Sequence, residues 1–360
     1  MASLPLLDES ELRPSSPALV GIAKLAAQGR AISERHAVEF FTLASRSLLN
    51  RCTAARMPFT WTINPYRGCE FACKYCYARY THEFMELRDP QEFEHKIYVK
   101  QHAAELLRRD LRKVKRGEEI AIGTATDPYQ PAERRFGVTR TILEVFAKQS
   151  GLDIGIVTKS DLVLRDVELL REIGRHNELF VNLTITTLNA DLARILEPRA
   201  PRPELRLQAV QKLNQQGVPA GVICAPVVPG ITDAARDLDG LVKATKEAGG
   251  KYIFANPLFL KPCSAAIFLP WLQKEFPQLV EGYRQRYENK AFLSTAYRKR
   301  ISQLMARLRQ KHGIGTQRER DRQEREAAAQ GNCGAPRAKT AAQTEFLPDA
   351  PLLEEQLRLF

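Results

Sequence analysis

Three of the seven cysteines fall within one short run, Cys69, Cys73 and Cys76, spaced Cys-x3-Cys-x2-Cys. They follow a β-branched and aromatic stretch, Phe59 to Ile63, that reads as a strand, so all three thiols sit on the loop leaving its end. Thiolate is the ligand that iron–sulfur clusters use, and three on one loop hold three irons of a [4Fe–4S] cube. No fourth cysteine lies nearby, which leaves the fourth iron open to a small molecule. The competing reading is zinc, which prefers four ligands, commonly as two Cys-x(2–4)-Cys halves. The second half is missing here, and His82 is the one close candidate for a fourth ligand.

Tyr75 stands directly before the last cysteine, and Cys69-x3-Cys73-x-Tyr75-Cys76 resembles the signature of the radical S-adenosylmethionine (SAM) superfamily. The resemblance implies a [4Fe–4S] cluster whose open iron is chelated by SAM. It also implies reductive cleavage of SAM to methionine and a 5′-deoxyadenosyl radical that takes hydrogen from a substrate. An aromatic at the position of Tyr75 packs beside the adenine in that superfamily. A reductant such as a flavodoxin or ferredoxin is then the expected partner.

These thiols need a scaffold, and the rest of the chain reads as one. The 360 residues, 44% hydrophobic, suffice for a barrel-sized domain with extensions. There is no early apolar run after Met1 and no stretch of about 18 apolar residues, so neither a secretory signal nor a membrane span is expected. A reducing cytoplasm keeps thiols available for metal, and an odd cysteine count argues against a complete disulfide framework. Residues 1–50 read as an extension: Leu4 to Pro17 as a mobile arm, Ala18 to Leu49 as one or two helices. From Phe59 the pattern alternates. Strands are expected at Phe59–Ile63, Glu119–Gly123, Asp153–Thr158, Leu179–Thr186, Ala220–Val227 and Tyr252–Phe254. Helices are expected between them, with Ile97–Val99 as a short excursion. Six strands with intervening helices imply an α/β fold with a parallel sheet that curls into a partial or complete barrel. No glycine-rich nucleotide fingerprint follows any strand. The superfamily resemblance selects an open (β/α)6 barrel. The domains expected are a core over 51–262, a helical segment over 263–314 and a disordered tail over 315–360. Trp271, Phe276, Tyr283, Tyr287 and Phe292 are candidate packing residues of the helical segment.

In such barrels chemistry sits where strands end, and polar residues gather there. The pieces Asn64-Pro65-Tyr66-Arg67-Gly68-Cys69, Thr126-Asp127-Pro128-Tyr129-Gln130-Pro131, Thr158-Lys159-Ser160, Glu197-Pro198-Arg199 and Ala225-Pro226-Val227-Val228-Pro229-Gly230 resemble the spore photoproduct lyase-like (DNA repair photolyase-like) branch. By that resemblance Lys159 contacts the SAM carboxylate, and Thr184 or Thr186 turns a hydroxyl toward SAM. Asp127 and Glu133 are candidates for substrate binding or proton transfer, with a turn role for Asp127 as the alternative. Gly68 is expected to supply a backbone conformation that other residues avoid. The lyase uses a cysteine after its second strand as hydrogen donor, yet Glu119 to Glu133 contains none here. Cys263 is the remaining candidate for a functional thiol, while Cys224 reads as core.

The net charge is +12. Arg108, Arg109, Arg112, Lys113, Lys115 and Arg116 crowd one helix and its end, and thirteen Lys/Arg face four acids between Tyr283 and Arg325. Basic clusters with interleaved aromatics suit phosphate contacts and base stacking, which makes nucleic acid a candidate partner. The function expected is a radical SAM enzyme of the lyase-like branch. The alternative is a non-catalytic nucleic-acid-binding protein stapled by zinc or a cluster.

Overall fold

The computed structural model describes residues 19–35, 38–53 and 57–315. The whole arm over Leu4 to Pro17 and the tail from residue 316 on therefore lie outside the described residues. The strands run β1 (Ala31–Arg35), β2 (Val38–Leu43), β3 (Leu49–Arg51), β4 (Trp61–Ile63), β5 (Tyr66–Arg67), β6 (Lys96–Lys100), β7 (Glu119–Ile122), β8 (Asp153–Thr158), β9 (Glu178–Thr184), β10 (Ala220–Val227) and β11 (Ile253–Pro257).

Six of them, β4 and β7 to β11, form a parallel sheet in chain order, and β3 adds an antiparallel edge beside β4. Helices Val138–Phe146, Val167–His176, Pro203–Gln215 and Ala235–Glu247 connect successive strands. This is the partial (β/α)6 barrel expected. Its strands bury most of their residues, Ile154, Ile156, Val181, Leu183, Val222 and Ile253 among them, because helices cover the sheet, although β11 buries only Ile253 fully. Helix Thr295–His312 packs Ile301, Met305 and Leu308 inward against Ala235–Glu247 and β11, and the chain then returns through Gly315 to pair with Tyr252. Among the described residues no helix is long and apolar enough to cross a membrane.

The N-terminal expectation is corrected. Only Gly21–Ala27 is helical, and the rest of Ala18 to Leu49 supplies strands. A second sheet, ordered β1-β2-β6-β5, stands beside the barrel. Its centre is a parallel pairing of β2 with β6, Glu39 opposite Lys96 through Leu43 opposite Lys100. The Ile97–Val99 excursion is thus an interior strand. Its partner β5 belongs to the cysteine loop, so this sheet fixes where that loop begins.

The barrel edge is fastened by Asp110, which accepts bonds from the Ser47 hydroxyl (2.7 Å) and the Leu48 and Leu49 amides (2.8 and 3.4 Å) and pairs with Lys113 (3.0 Å). Burial works against its charge, yet the bonds from Ser47, Lys113 and the two amides hold its pKa down to about 2. A depressed folded pKa stabilises above the unfolded value and is lost as pH falls from about 4 toward 2. Asp110→Asn is therefore expected to lower stability at pH 7 but to unfold with a shallower acid dependence between pH 5 and 3, read by urea melts at each pH. Parallel acid curves for variant and wild type would contradict this.

Candidate active site

The loop after β4 has no regular structure to satisfy its backbone, so side chains from the neighbouring strand ends do so. Asn64 accepts from the Ala125 amide (2.7 Å). Gln130 accepts from the Glu70 amide (2.9 Å) and donates to the Gly68 carbonyl (3.1 Å), to which Thr126 also donates (2.5 Å). Glu70 in turn accepts from the Ala132 amide (2.6 Å). Gly68 has φ +82°, and a Cβ there would lie 2.6 Å from the Lys96 carbonyl oxygen, so the glycine is required twice over.

This lattice holds Cys69 and Cys73 buried and Cys76 partly exposed, all three with free thiols. Burial raises each of their pKa values, Cys69 well above its ordinary range and Cys73 to about 12, and Cys73 and Cys76 raise Cys69 further. Three closely placed thiols whose ionisation burial and mutual repulsion oppose are a donor set that a cationic cluster would satisfy. Among the described residues no three His, Cys, Asp or Glu side chains close around a single ion. His82, the zinc alternative's fourth ligand, faces away: it is buried against Phe93 and Tyr98, with Nε2 3.0 Å from the Lys96 carbonyl. Burial lowers its pKa to about 4, and it is a core histidine.

Around the thiols stands a second buried network. The Tyr75 hydroxyl donates to Glu197 and lies 3.1 Å from the Thr186 hydroxyl, which itself donates to Glu197 (3.0 Å). Glu197 pairs with Arg206 at 2.5 Å, both side chains about 1% exposed. Arg206 also donates to the carbonyls of Thr184 (3.0 Å) and Pro201 (2.8 Å). Burial opposes the Glu197 charge, but Arg206 and Lys159 keep its pKa below the ordinary value. Lys159 places its ammonium 5.7 Å from the centre of the Tyr75 ring, without an ion-pair partner among the described residues. Burial works against that charge, and Cys73 and Glu197 outweigh it, raising the pKa. Tyr75, Lys159 and Thr186 thus converge on the cysteines, while Thr184 contributes its carbonyl to Arg206.

The proposed acid–base residues are placed otherwise. Asp127 accepts from the Thr158 hydroxyl (2.6 Å), the Tyr129 amide (2.9 Å) and the Lys159 amide (2.7 Å), and so ties β7 to β8. Glu133 is fully buried, bonded to the Tyr66 hydroxyl (2.5 Å), the Thr139 and Arg140 amides and Arg165 (2.8 Å). Both carboxylates hold the frame. Cys263 lies buried on helix Pro262–Glu275, where burial and Glu83 raise its pKa to about 11; its neighbour Ser264 donates to the Cys76 carbonyl (2.9 Å). Cys224 is fully buried in β10, as expected of core.

Three functional features escaped the sequence reading. Glu197 stood in a quoted motif without a role, and Arg206 was one arginine of an ordinary helix. Arg79 is buried, pairs with Glu94 (2.6 Å) and donates to the Cys73 carbonyl (3.1 Å). Tyr77, 42% exposed, donates to the Thr124 carbonyl and meets Phe259, whose ring lies tilted against Phe292 with centroids 4.5 Å apart. The packing aromatics of the C-terminal segment do close over the strand ends: Tyr283 and Tyr287 donate to the carbonyls of Pro229 (2.6 Å) and Leu258 (2.9 Å).

The two basic clusters fall at different ends. Helix Ala103–Asp110 starts at His102 beside Val138 and descends, so Lys113, Lys115 and Arg116 lead into the start of β7, opposite the cysteines. Arg284, Arg286 and Lys290 are exposed beside the strand ends instead.

Comparison with known proteins agrees with this geometry. Residues 63–241 match the family model described as the radical SAM superfamily. The uncharacterized protein Rv2578c of Mycobacterium tuberculosis is 34% identical over 279 residues, covering 77% of this chain and 82% of the relative. The uncharacterized protein MJ0683 of Methanocaldococcus jannaschii is 30% identical over 221 residues, covering 61% and 78%. A spore photoproduct lyase double mutant with bound AdoMet and dinucleoside spore photoproduct superposes with a TM-score of 0.59 at 14% identity, over 76% of this chain and 79% of that one.

Removing one partner of a buried ion pair leaves a charge uncompensated and typically costs about 3–5 kcal/mol. Arg206→Ala is expected to lose that much in urea unfolding, and Arg206→Lys to recover only part, since it lacks the planar fork. A loss below about 1 kcal/mol would mean that the pair does not hold the loop.

Proposed function

Because the chain belongs to the radical SAM superfamily, we propose that Cys69, Cys73 and Cys76 ligate a [4Fe–4S] cluster and that the protein reductively cleaves SAM. When bound, the cluster supplies the electron that converts SAM to methionine and a 5′-deoxyadenosyl radical. The observation that carries this reading is the convergence of three free thiols, two buried and one partly exposed, with an ammonium that has no ion-pair partner among the described residues, Lys159, at the ends of a parallel sheet.

The residues divide the work. The three thiolates bind, and Arg79, on the Cys73 carbonyl, fixes their loop. Lys159 presents a point charge for the SAM carboxylate. Tyr75, locked by Glu197 and Thr186, offers a flat apolar wall of the kind an adenine requires. Helix Pro262–Glu275, through Ser264, and helix Val280–Tyr287 cover the strand ends and limit water there. We assign the activity to residues 51–262, with 263–314 as its cover.

For the substrate we favour nucleic acid. Exposed Arg284, Arg286 and Lys290 stand beside the same strand ends as the aromatic group of Tyr77, Phe259 and Phe292, a combination suited to phosphates and bases. A solved spore photoproduct lyase holds a dinucleoside photoproduct. The absence of cysteine from Glu119 to Glu133 points to a different hydrogen donor, and so to a reaction other than repair of that lesion.

Anaerobic protein reduced with dithionite in the presence of SAM should release 5′-deoxyadenosine. Changing any one of Cys69, Cys73 or Cys76 to Ala should abolish the iron–sulfur absorbance, whereas Cys52→Ala should keep it; a full-strength spectrum in Cys73→Ala would sink the assignment.

Lys159→Ala should retain its iron and weaken SAM binding about 10- to 150-fold, as loss of a charge-assisted contact costs about 1.5–3 kcal/mol. Equal SAM affinity in calorimetry would show that the ammonium serves another group.

A further inference from the structure

The cysteine loop reaches solvent on two sides. At Tyr77 the surface is aromatic, closed by Thr124 and Phe259. The other side is Lys74, partly exposed between Cys73 and Cys76, and it is cationic. The turn that borders it donates and accepts directly on the loop: the Lys74 amide bonds the Leu196 carbonyl (2.9 Å) and the Arg199 amide bonds the Phe71 carbonyl (3.3 Å). That turn carries Arg194, Arg199 and Arg202, all exposed. Arg194 donates to the Pro198 carbonyl (2.7 Å), which fixes its stem. None of the four cations forms an ion pair among the described residues. Two exposed acids, Asp191 and Glu204, flank them, so the patch stays net positive. Glu197, the other acid of the turn, is buried against Arg206 and contributes nothing to the surface.

We propose that Lys74, Arg194, Arg199 and Arg202 form the docking surface for a small acidic flavin-bearing electron-transfer protein that reduces the cluster. This rests on the cluster assignment above and goes beyond it in naming the approach. Electron transfer needs a short path, and Lys74 is the partly exposed point of the loop between two of its cysteines. Complementary charge steers such encounters and raises their on-rate, and weak electron-transfer interfaces are small, as this patch is. The transfer is one electron: the donor's reduced flavin is oxidised, the cluster is reduced, and no covalent bond forms or breaks between the partners. The substrate is left the aromatic side at Tyr77.

The test uses the full chain with its cluster reconstituted and a fluorescently labelled flavodoxin as probe. Anisotropy should report binding at 50 mM salt that weakens at least several-fold at 200 mM, where the Debye length shortens. The triple variant Arg194→Glu, Arg199→Glu, Arg202→Glu should bind flavodoxin at least tenfold more weakly and keep its iron–sulfur spectrum. SAM cleavage driven by flavodoxin should fall in proportion while cleavage driven by dithionite is unchanged. Should the triple variant assemble less cluster, the pair Arg194→Glu, Arg202→Glu leaves the loop-bonded residue intact and should still lose flavodoxin binding several-fold. Unchanged flavodoxin binding in these variants, or equal loss with both reductants, overturns the proposal. So does loss of a single-stranded oligonucleotide with flavodoxin binding retained, which would make the patch a phosphate surface. If the wild type binds flavodoxin in this salt-sensitive way but yields no 5′-deoxyadenosine with dithionite, the docking surface stands and the SAM-cleaving reading fails.

Discussion

The buried pair between Glu197 and Arg206 is the contact on which the site depends. An isolated carboxylate this deep would be neutral or would not fold, since desolvation alone costs several kcal/mol. Arg206 answers it with a planar donor set that also reaches the Thr184 and Pro201 carbonyls, so one guanidinium binds the end of β9 and the turn before its own helix. The carboxylate has accepting capacity left, and Tyr75 and Thr186 fill it. The result is that the orientation of the Tyr75 ring, three residues from none of its anchors in sequence, is set by residues more than a hundred positions away. A cysteine loop alone carries no such information.

Three settings of positive charge bear on the frame and the site. Arg79 and Arg206 are neutralised inside and act as struts. Lys113 and Arg109 are drawn to Asp110 at the barrel edge. Lys159 is left free beside the thiols, where burial, Cys73 and Glu197 act on it together. A free ammonium in such surroundings persists only because neighbouring anions favour it. Its placement follows from Asp127, which captures the Lys159 amide and the Thr158 hydroxyl and so turns the strand end toward the cysteines.

The barrel was legible because its strands are buried on both faces and read as short apolar runs bounded by Gly, Pro and polar turns, a pattern with a length that helices do not share. The thiol spacing stands in the sequence as a local motif, whereas Tyr75 and Lys159 were singled out only by the family resemblance. The small sheet was not. Val38–Leu43 finds its partner in Lys96–Lys100, more than fifty residues on, and the surrounding Ala, Glu and Arg favour helix when read locally. Arg206 could not be found by periodicity, because it occupies an inward position of a helix where the pattern calls for an apolar residue; a buried arginine facing Glu197 becomes visible only when both elements are packed. For Asp127 and Glu133, carboxylates at a strand end, the sequence does not show how far the frame takes up their bonding capacity.

That last point bears on the chemistry. Reactions that develop charge on a substrate need an acid or base within reach, with capacity to exchange a proton. Here the two candidate carboxylates accept three or more bonds each from the fold, and His82 is turned into the core with its pKa lowered to about 4. Removing hydrogen as an atom requires none of these: it requires that the reacting groups be held at contact distance while water is kept out. A rigid wall at Tyr75, a fixed cation at Lys159 and helices closed by Ser264 and Tyr283 meet that requirement. The same rigidity explains why the frame recruits so many buried polar bonds around one loop. Positional error at the thiols would pass directly to whatever they hold.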